Sequence, residues 1–377
     1  MSGPSAALRA RVRSELIRIS CSELPADQLL AEVAGTLKLA VPFDACFLTG
    51  VDPSTMLFMS AAIVEEMPPW CCQPYFDNEF LAEDFNKFAV LAESAEGVAT
   101  LTQATGGRHA RSARHVEING RLNLEAELRA VFRAGGEAWG IGNLVREQGK
   151  PDFDAAEIAF VQSVSRDIAE GLRTALLAEQ TQVGGADAPG LLMFAADGRL
   201  TAATPEAQQW LADLDPVNVV PTALGFPLPT AAYVVVARAR ALAAGRAGPP
   251  ARARVRTRSG QWIVLHASCT KDSAGEVAGA ALIIDRARPV EVAPLIAAAY
   301  QLTPREREIA AHVARGSATP AIAAELHLSP HTVRDHLKAI YEKVGVAGRG
   351  EMVARIYTDH YHDRHSVGQR EPVAAAF

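Results

Sequence analysis

A chain of 377 residues, 49% of them hydrophobic, has the length for two or three domains with cores of their own. Its net charge of −6 excludes a protein that coats polyanions over its whole surface, so nucleic-acid contact must be local to one face. Five cysteines, an odd number without framework spacing, suit a reducing compartment rather than a disulfide scaffold. No apolar run approaches the roughly 18 residues of a membrane-spanning helix. The opening MSGPSAALRARVRSEL also lacks a signal-peptide core, which predicts a soluble, cytoplasmic protein with no membrane partner. The chain carries no P-loop, GxSxG, HExxH or paired CxxC, so it is not expected to be an enzyme.

Residues 8–180 begin and end with helices around strand-like runs at 45–51, 127–133 and 138–146, the last after the Gly135-Gly136 turn. Trp139, Ile141 and Val145 are expected to share a face. Asp154 predicts the N-cap of a long amphipathic helix. Within that helix Ile158, Val161, Ile168 and Leu172 approximate a heptad seam broken by Ser165. Such a seam suits a dimer contact or packing on its own domain, and the dimer is slightly favoured. The stretch WGIGNLVREQGKPDFDAAE before the helix resembles the closing part of a GAF domain. That resemblance implies an antiparallel sheet, often holding a small-molecule ligand, and often a dimer. Residues 65–119 are unrevealing as a whole. Within them, Cys71 and Cys72 stand between Trp70 and the Tyr75-Phe76 pair. They suit a thiol switch or soft-metal site, or, more commonly, small buried side chains in an aromatic cluster. Asn86-Lys87-Phe88 is similar to part of a cyclic-nucleotide motif of some GAF domains, but the later acidic pair is missing.

A composition break at 181–189 reads as a linker. Residues 187–288 then open on LLMFAADGRL, where Asp197-Gly198 between apolar runs predicts a hairpin. RARVRTRSGQWIVLHAS predicts a second hairpin through Ser259-Gly260, and GEVAGAALIID a final strand. This order resembles a PAS domain, with Thr204 standing where that family often has Asn. Arg252, Arg254, Arg256 and Arg258 alternate along one strand. They suit phosphate or an acidic partner surface, but such a stripe is more often the solvated face of a sheet. A second linker is expected at 285–294.

The C-terminal part is the most informative. Thr303, Pro304 and Glu306 form a capping box with a pre-set first turn, and Gly316 ends the helix. A second helix is expected from Thr319-Pro320, with Ile322, Ala323 and Leu326 inward. Ser329-Pro330 opens a third. There Val333, Leu337, Ile340, Tyr341 and Val344 form one apolar stripe, leaving His331, Arg334, Asp335, Lys338 and Glu342 opposite. A fourth helix is expected at 352–361, with Val353, Ile356 and Tyr357 inward. TPRERE, IAxxL, LSxxTVxxHLxxIYxKxGV and the downstream Arg349 and Glu351 together resemble the LuxR-type helix-turn-helix. The resemblance implies a third helix seated in the major groove of double-stranded DNA. It places Arg334, Asp335 and Lys338 at base-reading positions and Thr332, Lys343 and Arg349 against phosphates. Gly348 and Gly350 stand where the family usually has Asn and Thr, which weakens the fourth cap. Pro320-Ala321 replaces the usual Lys/Arg-Glu. Nine basic and eight acidic side chains between positions 301 and 365 leave a balance of only +1. Seven of the ten histidines also lie there, so this charge rises below about pH 6.5. The HYHDRH run at 360–365 matches no structural zinc spacing, so no metal site is expected.

The expected fold class is therefore multi-domain α+β. GAF-like and PAS-like antiparallel-sheet domains at 8–180 and 187–288 precede an all-α helix-turn-helix domain at 296–362 and a disordered tail at 363–377. The expected function is a one-component, sequence-specific transcriptional regulator acting as a homodimer. Its expected partners are double-stranded DNA, a small-molecule ligand of unspecified identity and RNA polymerase. Two readings come from other classes: a thiol-based redox enzyme or sensor using Cys71 or Cys72, and a signalling adaptor whose helical bundle binds protein.

Overall fold

Two five-stranded antiparallel sheets, a two-stranded sheet and a set of helices make up the computed structural model, which describes residues 4–178, 188–214 and 219–357. The first domain opens with α1 (Ala6–Ser20) and α2 (Ala26–Ala40). Its sheet comprises β1 (Ala45–Val51), β2 (Phe58–Glu65), β3 (Val98–Thr100), β4 (Leu124–Ala134) and β5 (Glu137–Glu147). Between β2 and β4 lie α3 (Cys72–Leu81), α4 (Phe88–Glu93) and α5 (Leu101–Thr105), and α6 (Ala155–Leu177) closes the domain. Asp154 caps α6 through a capping box with Glu157, as its sequence predicts.

The second domain begins with the hairpin β6 (Gly190–Ala195) and β7 (Leu200–Ala203), followed by α7 (Pro205–Ala212). Gly198 turns that hairpin at φ +86°. Thr204 does the capping work expected of Asn: its Oγ1 accepts from the Ala207 and Leu191 amides. After the short pair β8 (Val219–Pro221) and β9 (Pro227–Pro229) come α8 (Thr230–Ala243), β10 (Arg252–Arg256), β11 (Trp262–Lys271) and β12 (Val277–Arg286). The sheets run β2-β1-β5-β4-β3 and β10-β11-β12-β6-β7. Counted within each domain, both follow the order 2-1-5-4-3. The antiparallel-sheet architecture expected of both domains is present.

Helix α6 lies over β4 and β5 and against α1 and α2. Val161, Ile168 and Leu172 are buried in that packing. The heptad-like seam is thus used inside its own domain and is not a free dimer contact. Even the seam-breaking Ser165 faces inward, its hydroxyl donating to the Val131 carbonyl at 3.0 Å. Gly140 permits the close approach, because a Cβ there would stand 2.4 Å from Leu172 Cδ1.

The chain divides into two compact units, and both sheets belong to the first: Met1–Ala178, Ala186–Arg256 and Ile263–Arg286. One apolar cluster runs through both domains, from Phe47, Phe58 and Phe76 to Phe194, Val235 and Leu282. The arginine stripe on β10 is not a solvated face. Arg254 makes a two-pronged contact with Asp52, Nε to Oδ2 at 2.6 Å and Nη2 to Oδ1 at 2.7 Å, and the Asp52 side chain is 1% exposed. Arg256 donates to the carbonyls of Leu176 and Ala178, and Arg258, beyond the end of β10, is exposed. The acidic partner surface that the stripe suits is the chain's own first domain. Arg240 likewise meets Asp77 at 2.5 Å.

The second unit contains α9 (Pro289–Ala299), α10 (Pro304–Ala314), α11 (Thr319–Glu325), α12 (Pro330–Val344) and α13 (Arg349–Tyr357). Of the linker expected at 285–294 only Ala287 and Arg288 lie between elements, β12 running to Arg286 and α9 starting at Pro289, and the division between the two units falls there. Pro289 occupies the first helical turn, where a missing N–H costs nothing, and Glu291 accepts from the Arg288 amide at 2.6 Å. The N-cap of α11 is Ala318, without a side-chain cap, rather than Thr319. Helix α13 begins at Arg349, earlier than expected, and buries Met352 and Ile356 while Val353 and Tyr357 are half-buried. The 181–189 break falls almost wholly, and the 360–365 histidine run and the tail entirely, outside the described residues.

Arg254→Ala leaves the buried Asp52 carboxylate without its cation and should cost about 3 kcal/mol of unfolding free energy in denaturant titration. The Asp52→Ala/Arg254→Ala double variant should recover part of that loss. Equal stability of wild type and Arg254→Ala would show that this pair does not bind the domains.

Candidate nucleic-acid interface and ligand cavity

Local interactions set the frame of the helical unit. Thr303 Oγ1 accepts from the Glu306 amide and Glu306 Oε2 accepts from the Thr303 amide at 2.7 Å, closing the capping box of α10. Arg305 Nη2 donates to the Leu326 carbonyl at 2.8 Å and ties α10 to the end of α11. His327 takes a left-handed conformation (φ +53°) and the Leu328 amide returns to the Ala323 carbonyl, which makes the turn between helices. Ser329 then caps α12 through the Thr332 amide at 3.0 Å, with Pro330 in the first turn.

Helix α12 separates its faces as its spacing predicts. Val333, Leu337, Ile340 and Val344 are buried, with Tyr341 half-buried. His331, Arg334, Asp335, Lys338 and Glu342 are all exposed. Arg334 and Lys338 make no hydrogen bond or ion pair among the described residues. Asp335 lies 2.8 Å from His331 Nδ1 in an exposed pair. Thr332 sits in the first turn, its hydroxyl 2.9 Å from Ser329 Oγ.

Lys343 and Arg349 have structural duties. The Lys343 ammonium meets Glu306 Oε2 at 2.6 Å and the Gln301 carbonyl at 3.2 Å. Burial pushes the Glu306 carboxyl up, but Lys343 and the Thr303 amide outweigh it and hold the group below its ordinary value. Arg349 Nη2 donates to the Ser317 carbonyl, pinning the start of α13 to the α10–α11 turn. Glu351 accepts from the Ala347 amide at 2.7 Å, which replaces the cap that Gly348 lacks. Sequence spacing identified these side chains but not their internal partners.

The family description "Bacterial regulatory proteins, luxR family" matches residues 300–356. Over 55 residues the chain is 40% identical to the spore germination protein GerE of Bacillus subtilis, covering 15% of this chain and 74% of that protein. The chain belongs to the LuxR family of bacterial regulatory proteins. It is also 45% identical over 69 residues to the probable transcriptional regulatory protein NarL of Mycobacterium tuberculosis, covering 18% of this chain and 29% of NarL. Among solved structures, Escherichia coli SdiA aligns over 93% of this chain and 97% of its own at 11% identity and TM-score 0.34. The GAF domain of a Coxiella burnetii phosphotransferase aligns over 44% and 93% at 19% identity and TM-score 0.32. The strand order, not these likenesses, carries the fold of the two sheet domains.

The first domain of this LuxR-family chain holds a cavity of about 520 Å³, walled by Phe58, Tyr75, Phe76 and Phe80 and edged by Glu79, Lys87 and Arg238. Behind it lies a buried polar network in the stretch whose sequence is unrevealing. Arg114 Nη2 meets Glu127 Oε2 at 2.7 Å, with side chains 1% and 0% exposed. Asn78 accepts from Arg114, while Asp84 accepts from the Arg114 amide and the Asn78 side chain. Burial pushes the Glu127 carboxyl up, and Arg114 overrides it to hold the group below its ordinary range. Arg129 pairs with Glu79 at 2.7 Å, reaches Tyr75 Oη at 3.2 Å and lies over the Phe88 ring. Burial pushes the Tyr75 hydroxyl up to about 12.

Asn86 and Lys87 serve this network. Asn86 adopts φ +54° and donates to the Thr100 carbonyl, and the Lys87 ammonium donates to the carbonyls of Asn78 and Glu79. Cys71 is 2% exposed among Tyr75 and Phe76, and its thiol donates to the Pro68 carbonyl at 2.9 Å. Its hydrogen bond with Cys72, together with burial, pushes the Cys71 thiol up, while the same bond pulls the half-buried Cys72 down. Spacing did not disclose the group His109, His115 and Glu125, whose ligand-type atoms lie within 4.8 Å of one another. His109 bonds Thr102 and Glu125 at 2.7 and 2.8 Å, and His115 Nδ1 is buried without a partner.

Lys87 yields a pH test. Burial, opposed by Glu79, pulls its ammonium from 10.5 down to about 8. Below about 8 both folded and unfolded chains are protonated and the desolvation cost is fully present. Between about 8 and the ordinary lysine value the unfolded chain holds more protons, so stability gains as pH rises. The stability of wild type relative to Lys87→Met should therefore increase from neutral pH into the ordinary lysine range, measured by urea unfolding. A flat difference would place the Lys87 ammonium in a water-like setting.

Proposed function

We propose that this chain is a one-component, sequence-specific transcriptional regulator that inserts α12 into the major groove of double-stranded DNA. One observation carries the reading. Arg334 and Lys338 project from the face opposite the buried stripe, with no partner of their own among the described residues. Guanine edges suit both, and Asp335, freed from His331, suits a cytosine amino group. Thr332 at the start of α12, with Lys343 and Arg349, would meet phosphates and set register. The chain spans only 29% of NarL and 35% of UhpA, a transcriptional regulatory protein of Salmonella typhimurium to which it is 44% identical over 69 residues. Both names support a regulator.

Residues 296–362 are proposed as the DNA-reading domain, and residues 8–180 and 187–288 as GAF-like and PAS-like sensory domains. A small molecule in the first domain's cavity would shift a conformational equilibrium as far as it prefers one state. DNA reading by two copies, with RNA polymerase as the downstream partner, completes the proposal.

Genome-wide mapping of bound sites, followed by affinity measurement on the site found, tests it. Arg334→Ala and Lys338→Ala should each lose about 1–3 kcal/mol of binding free energy at that site. If both variants bind as tightly as wild type, the base-reading assignment is wrong.

A further inference from the structure

We infer that the cavity of the first domain takes a small organic anion on an apolar body, its charged end seated on Arg238 of the second domain. This rests on the sensory reading above and names the ligand chemistry. Arg238 stands in α8, a helix buried over most of its length, and is itself only 8% exposed. A buried guanidinium is ordinarily paired. Its neighbour on the same helix, Arg240, is answered by Asp77. Arg238 is not: its Nε is buried without a partner, and no acceptor among the described residues takes a hydrogen bond from it. It lies over the Phe80 ring at 4.8 Å. Gly248 leaves it room, since a Cβ there would stand 2.4 Å from Arg238 Nη1.

The surrounding carboxylates do not answer this charge. Glu79 is bonded to Arg129 and to the Phe88 amide. Asp84 is held by the Arg114 amide and Asn78. Glu83 is exposed, and Arg246 adds a second cation at the cavity edge. Burial lowers the Arg238 guanidinium from its ordinary value while Glu79 opposes the shift, as expected of a desolvated cation awaiting an anion. The remaining walls, Phe58, Phe76 and Ile141, suit an aromatic or alkyl body. A ligand so placed touches both sheet domains at once, which makes the cavity a point where occupancy in one is felt by the other.

Calorimetric titration of the full chain with 3-phenylpropanoate, phenyl phosphate and the uncharged 3-phenylpropanamide tests the inference. At least one acid should bind, with the amide roughly tenfold to a hundredfold weaker. The stronger of the two acids separates a carboxylate from a phosphate ligand. Arg238→Gln should abolish the preference for the acid, and Arg238→Lys should keep part of it. The thermal midpoint of ligand-free Arg238→Gln should stay level or rise, because an unanswered buried cation has been removed. Equal binding of amide and acids, no binding of either acid at millimolar concentration, undiminished acid binding by Arg238→Gln, or a marked fall in its midpoint would each overturn it. DNA retention by the same preparations keeps the two readings apart. Wild type that binds acid but no DNA defeats the regulator reading alone, and wild type that binds DNA but neither acid defeats this one alone.

Discussion

Helix α8 is apolar nearly all round, and a helix of that kind must be enclosed. Its neighbours are α3 and β2 on the first-domain side and β9, β10 and β12 on the second. Val234, Val235 and Val236 are buried together, and burial of each such side chain contributes about 1.5–3 kcal/mol. The apolar cluster around α8 draws side chains from both domains, so the two share one core there. The ion pairs at the rim, Arg254 with Asp52 and Arg240 with Asp77, add register more than net energy, because each partner gives up hydration to be there. A close-packed shared core does not deform gradually.

That constraint gives the charged lining of the cavity its meaning. Arg238 breaks the apolar pattern of α8 at the wall of the cavity, where a solvated or paired arginine would ordinarily be found. Natural cores accept such a group where it does work, since desolvating a cation without an answer is costly. Helix α8 packs on β12, and two residues separate the end of β12 from the start of α9.

What was legible in the sequence was local. The Thr303–Glu306 and Asp154–Glu157 boxes, the Ser329 cap and the glycines at 198 and 260 act over a few residues, and the spacing predicts them correctly. The two faces of α12 follow from helical periodicity alone. The interactions that were not legible join distant positions. Arg129 meets Glu79 across 50 positions and Arg254 meets Asp52 across 202. Nothing in the neighbourhood of Arg254 marks it as buried, so its alternation reads as a solvated face. Pro289 misleads for a different reason: a proline ends one helix and starts another equally well, and only the packing of α9 on α13 decides which. The α6 seam shows the same ambiguity, since a stripe that fits a second helix also fits a sheet.

The charge of the helical unit is smaller in effect than its sequence count suggests. Lys343 is held by Glu306, Arg305 by Glu308 and the Leu326 carbonyl, and Arg349 by the Ser317 carbonyl. These cations stiffen the frame that aims α12 and are only partly available to phosphate. On the DNA-reading proposal, affinity that grows with neutralised phosphates would be modest for one copy, with a correspondingly shallow salt dependence of about 0.9 per phosphate contacted. On that proposal, such a chain would gain little from non-specific DNA and would depend on aimed contacts from Arg334 and Lys338. Two such modules on paired half-sites multiply that discrimination, whereas adding surface lysines would raise binding everywhere. The α6 seam is consumed within its own domain, so the stripe the sequence offered is not free for a second copy.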